Sequence, residues 1–229
     1  MSKKLFTVCG ILKRNWASSF LEAKHRRTFW ESRVLREAQI PQTAFTELSY
    51  TVEQVYNAGT ANEFEERHYN GGRNFACTNA SFYGAGVTKE VMFQAVQDYL
   101  QGDNDQDMDI RLSLPVIMIH DISLGSHHFM VCAFLGEALN NSPPTPTDPK
   151  IVIWQPTEKV IYTRRVGTRM TDAQWHMEYQ NLKTLLEANG KGSNILNHVY
   201  AYVTFTPPWT KMADRYEVWI FKNVQVHNF

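Results

Sequence analysis

The chain has 229 residues, 43% hydrophobic and 20% charged, which excludes disordered and fibrous classes and suffices for one globular core. Twenty-three Lys and Arg balance twenty-three Asp and Glu, so no net field gathers phosphates or anionic lipid, and nucleic acid and membrane are set aside as partners. No stretch approaches the ~18 apolar residues of a membrane span, and Lys13 and Arg14 cut short the first apolar patch, so a soluble, cytoplasmic protein without a signal peptide is expected.

From the N-terminus, Trp16, Phe20, Phe29, Trp30, Val34 and Leu35 recur among charges over 14–38, which predicts an amphipathic helix ended by Pro41. Alternation through Phe45, Leu48, Tyr50, Val52 and Val55 predicts a strand over 44–56. Asn70-Gly71-Gly72 marks a turn, and Cys77 opens a run of small residues that ends at Gly86. Thr88 then caps a helix whose buried face is Met92, Val96 and Tyr99, with Gly102 at its end.

Leu112–His120 and Phe129–Leu135 are expected to pair as buried strands, and the Pro-rich 143–149 segment is a loop. Strands over 151–154 and 160–166 flank Pro156, and Thr171-Asp-Ala-Gln174 forms a capping box for a helix facing inward through Trp175, Tyr179, Leu182 and Leu186. The end alternates over 199–205 and 216–226, which predicts an antiparallel pair. No internal repeat is visible in the residues.

The three cysteines, Cys9, Cys77 and Cys132, are odd in number and widely spaced, which points to free thiols in a reducing compartment. Cys77 before a helical stretch and His128 at the start of an apolar strand are the minimum for a thiol nucleophile: helix N–H groups stabilise the thiolate and an imidazole takes its proton. A second constellation, His120-Asp121 with His127 or His128 across a tight connection, has metal-ligating residue types but no recognised ligand spacing. Asp103-Asn-Asp105-Gln-Asp107 starts like a calcium loop and fails at Met108 and Leu114, so no metal is expected.

The segment from Asn74-Phe-Ala-Cys77 to Lys89-Glu90 resembles the nucleophile helix of papain-like cysteine peptidases, nearest to their bacteriocin-processing branch. His128-Phe-Met-Val131 and Leu114-Pro-Val-Ile117 are similar to that family's strands around its histidine, and the resemblance covers about residues 74–160. It implies Cys77 as nucleophile, His128 as general base, Asn74 as an oxyanion donor, and Gln155 where the family carries its orienting Asp.

The resulting expectation is a single α+β domain over 1–229, with an N-terminal helical extension over 1–73 and a papain-like core over 74–229. In that core a Cys-bearing helix packs on a mostly antiparallel sheet. The expected activity is a cofactor-free Cys-His thiol hydrolase acting on an amide or thioester bond of a peptide or protein substrate. The competing expectation, drawn from the β-rich ending and abundant aromatics, is a self-associating structural protein such as a viral or phage particle subunit, located in the virion.

Overall fold

A computed structural model of the protein describes residues 45–78, 88–122, 129–167, 170–205 and 215–223. All belong to one compact unit, 43–207 with 212–229; a second unit, 1–42 with 208–211, lies outside the described residues, and with it the helix expected over 14–38.

Nine strands build one sheet: β1 (Thr51–Tyr56), β2 (Phe64–Tyr69), β3 (Phe75–Thr78), β4 (Val116–Asp121), β5 (Phe129–Phe134), β6 (Ile151–Trp154), β7 (Lys159–Val166), β8 (Ile195–Thr204) and β9 (Tyr216–Lys222). Their order is β1-β2-β7-β9-β8-β4-β5-β3-β6, with every neighbouring pair antiparallel. Two α-helices are described, α1 (Lys89–Leu100) and α2 (Asp172–Ala188), and neither is long and apolar enough to cross a membrane.

This architecture corrects the papain-like expectation. Cys77 lies in β3, hydrogen-bonded between β5 and β6, and α1 starts only at Lys89. The physical reason is that Phe75-Ala-Cys-Thr78 is buried along its whole length, and a short run buried on both faces has no period by which to tell strand from helix. Nor does an N-terminal extension end at residue 73, since β1 and β2 are members of the sheet. The segment before β1 belongs to the same unit: Phe45 and Leu48 are buried, and Leu48 N–H donates to Leu114 O at 2.8 Å.

The order contains a repeat that the residues do not display. β3-α1-β4-β5 and β7-α2-β8-β9 have the same succession of elements, each half places its last strand between its first two, and the halves meet at the β4–β8 pair. Pairing rules constrain where apolar residues alternate and not which ones they are, so the sequence repeat can vanish while the topology persists.

Two short connections curl this sheet. β2 and β7 are neighbours near one edge, β3 and β6 are the last two strands at the other, yet only residues 70–74 join β2 to β3 and 155–158 join β6 to β7. A few residues cannot span a flat nine-stranded sheet, whose neighbouring strands stand about 4.8 Å apart, so the sheet must wrap until its two sides meet. At that seam Gly72 N–H donates to Pro156 O at 3.2 Å, and a Cβ on Gly71 would sit 2.7 Å from Glu158 N. Only glycine lets the two connections approach so closely.

Alternation along the strands then defines an outer and an inner face. Both helices cover the outer face. The side chains Trp175, Tyr179, Leu182 and Leu186, at i, i+4, i+7 and i+11, seat α2 on Tyr162, Tyr200, Tyr202, Val218 and Ile220. α1 lies on β3, β5 and β6, where the paired, fully buried Ala76 and Ala133 leave room for it. The edge strand β1, uncovered by either helix, is exposed at every residue but Tyr56.

The inner face holds a charged cluster at β2, β7 and β9. Glu217 Oε2 accepts from Arg67 Nη1 at 2.8 Å, Trp219 Nε1 at 2.8 Å and Thr163 Oγ1 at 3.2 Å, while Arg67 Nε also donates to Glu65 at 2.6 Å and its guanidinium lies over the Tyr50 ring. Both members of the Arg67–Glu217 pair are buried, so the bonds replace the water each ion has lost.

Candidate functional site

Three of the four residues expected to form a thiol-hydrolase site are described, and each has a different place. Cys77 is fully buried and joined to Cys132 by a disulfide, in place of the free thiols expected from cysteine number and spacing. Strand pairing sets the two directly opposite, although they are separated by 55 positions in sequence. Asn74 is buried and donates through Nδ2 to Leu139 O and Asn140 O, both at 2.8 Å, which pins the 3-10 turn Glu137–Leu139. Gln155 is exposed at the seam, its Nε2 3.4 Å from Gly72 O. His128 lies outside the described residues.

Of the alternative His120-Asp121 with His127 or His128, the latter two are also outside the described residues, and no group of three or more metal-ligating side chains occurs among the described ones. His120 itself is the most unusual side chain on the outer face. It is the penultimate residue of β4, at the junction of the two halves, paired with Phe129 on one side and Tyr200 on the other. Its ring stacks between theirs at 5.6 and 5.2 Å, with Tyr202 at 4.6 Å.

Tyr202 continues the cluster by stacking on Trp175 at 4.8 Å, and Tyr200 stacks on Tyr179 at 4.1 Å, so one aromatic layer runs from β4 and β5 to the buried face of α2. The Tyr200 and Tyr202 hydroxyls meet at 3.2 Å, and burial raises both phenol pKa values above the ordinary range, which keeps these side chains neutral.

The first residues of the two helices converge here. Lys89, opening α1, forms an ion pair with Asp172, opening α2, and its ammonium lies 5.9 Å from the Phe129 ring and 5.4 Å from the Tyr202 ring. His176, one turn into α2, is exposed and its ring is 6.3 Å from Tyr200.

Within this layer His120 Nε2 is buried and has no hydrogen-bond partner. A buried polar atom without a partner costs free energy, of the order of 1–3 kcal/mol, and His120 Nε2 shares this state with five other described side-chain atoms but is the one set among stacked rings. Burial, reinforced by the positive charge of Lys89, pushes the imidazole pKa down to about 4, so the ring is neutral at neutral pH. A neutral imidazole nitrogen in apolar surroundings is a metal-ligand donor and not a general acid. The sequence offers His120 as a metal candidate with Asp121 and His127 or His128, and the structure adds the rings of Phe129, Tyr200 and Tyr202 around it. The signal that could have found the site is the outward alternation Met118, His120 against Tyr200, Tyr202 on the partner strand.

No individual curated protein matches the chain. The profile of one family does, described as SOUL heme-binding protein, over residues 45–221. That span begins where the described unit begins and reaches into β9, taking in both βαββ halves and the ring cluster. It overturns the resemblance to papain-like cysteine peptidases, the thiol-hydrolase function drawn from it, and the viral or phage structural alternative, none of which agrees with a heme-binding family. The peptidase resemblance rested on short runs around Cys77 and His128, whereas this match extends over most of the chain, which belongs to the SOUL heme-binding protein family.

Proposed function

We propose that the protein binds heme or a closely related tetrapyrrole, as a carrier or sensor and not as an enzyme, at the ring cluster around His120. The observation that carries this reading is His120 Nε2, a neutral imidazole nitrogen buried without a partner in an aromatic layer of a heme-binding family member.

Heme is a flat apolar plate with an iron at its centre and two carboxylates at one edge, and the cluster has a counterpart for each. His120 would offer a nitrogen to the iron, and Phe129, Tyr202 and Trp175, now buried and stacked within the layer, would supply apolar surroundings for the plate. Lys89, freed from Asp172, would answer a carboxylate at the start of α1, where the helix dipole also favours negative charge. When bound, the iron supplies the redox and small-ligand chemistry of the group; the chain's residues bind it, orient it and exclude water. Tyr179 supports the layer from α2, its hydroxyl donating to Asn197 O at 2.9 Å.

Titration of the purified chain with hemin, followed by the Soret band, tests the proposal. Saturable binding of one equivalent is expected, and His120→Ala is expected to displace the band and weaken binding by about tenfold or more. Absence of saturable binding overturns the reading. Binding with a band unchanged in His120→Ala would move the tetrapyrrole away from the cluster.

A further inference from the structure

We infer that the inside of the curled sheet is a second, independent binding site, for a long-chain carboxylate whose head group is held by Lys159. A space of about 460 Å³, counted together with the open solvent at its mouth, lies against the inner face. Its walls are apolar: Phe75, Ile119, Trp154, Ile161, Trp219 and Phe221, contributed by five different strands. The half-buried state of Ile119, Trp154 and Phe221 shows that the chain leaves this surface only partly filled by its own side chains.

Charge sets the polarity of the occupant. Lys159 opens β7 opposite Tyr69, two residues before the inward-facing Ile161, so its stem lies on the inner face at the mouth of the space. Among the described residues none pairs with its ammonium and no acidic side chain lines the space. The other cation there, Arg73, is committed to Glu137 at 3.2 Å. The half-buried Lys159 side chain brings a cation beside apolar walls, and a carboxylate pairs with it while its hydrocarbon tail covers the walls.

The walls also discriminate against the first ligand. Among the described residues no imidazole, thiolate or thioether lines the space, and burial raises the pKa of Tyr69, the one described phenol there, so that it stays protonated. A single flexible chain can thread between converging strands where a rigid plate would have to part them, and barrels of about eight strands hold one small ligand in this way. Ile119 and His120 are adjacent in β4 and face opposite sides, so the two sites are separated by the sheet itself.

Terminally brominated undecanoic acid, added to the full-length protein while tryptophan emission is followed, tests the inference, because bromine quenches Trp154 and Trp219 only when the tail is among them. Saturable quenching is expected, persisting in protein already loaded with hemin. The matching brominated alcohol should bind about tenfold or more weakly to the unaltered protein, Lys159→Met should weaken the acid to a similar degree, and Lys159→Arg should largely restore it. Equal binding of acid and alcohol, or no saturable quenching, overturns the inference whether or not hemin binds. Loss of hemin binding with quenching intact overturns only the tetrapyrrole proposal.

Discussion

In the half β3-α1-β4-β5, the first and last strands are joined on the inner face by the Cys77–Cys132 disulfide. In the half β7-α2-β8-β9, the matching pair β7–β9 is joined on the same face by Thr163, Glu217 and Trp219, and the link extends through Arg67 into β2. One topology is thus closed covalently on one side and by a buried ion with three donors on the other. The covalent link needs two small side chains and no further partner. The ionic link depends on every member, because each donor removed leaves charge or hydrogen-bonding capacity stranded out of water. The helices differ in the same sense: Thr171 of α2 has a complete capping box with Gln174, whereas Thr88 at the start of α1 makes no side-chain cap bond.

The largest expected effect is on the ionic side. Glu217→Ala should lower unfolding free energy by about 3 kcal/mol, since it leaves the buried Arg67 guanidinium with Glu65 alone and takes the acceptor from Thr163 and Trp219, and urea unfolding measures it. A loss below about 1 kcal/mol would mean that water reaches Arg67 and that the cluster is not closed. Next comes the disulfide: the double variant Cys77→Ala, Cys132→Ala should lose about 2–4 kcal/mol, with two additional thiols reacting in denaturant after reduction of the parent protein. If reduction exposes no additional thiol, the comparison between a covalent and an ionic closure fails. The smallest effect distinguishes the helices, with Thr171→Ala expected to cost about 1 kcal/mol and Thr88→Ala only a small fraction of that. Equal costs would show that Thr88 caps α1 in solution.

Much of the secondary structure was legible in the residues. The capping box, the i, i+4, i+7, i+11 face of α2, the Met92-Val96-Tyr99 face of α1 and the pairings β4–β5 and β8–β9 all follow from local periodicity and turn chemistry, which act over a few positions. The site was legible only in part. His120 stood out as a metal-ligating residue type, but its sequence neighbours suggested Asp121 and His127 or His128 as companions, while its aromatic companions come from β5, β8 and α2. Cys77 misled because a short, fully buried strand has no period, and because a helix start follows soon enough to suggest that the thiol sits on it.

By itself, then, the sequence determined which segments become helix or strand and which side of each long element is apolar, because those properties depend on the alternation of neighbouring side chains against water. Only the tertiary structure decided the strand order, in which β3–β5 pairing sets Cys77 against Cys132, β4 between β5 and β8 surrounds His120 with rings, and the closing of the two short connections turns Lys159 toward an apolar interior. Those outcomes depend on strand order and register between residues tens of positions apart, where the free energy resides in burial and pairing across the sheet and leaves no periodic trace along the chain.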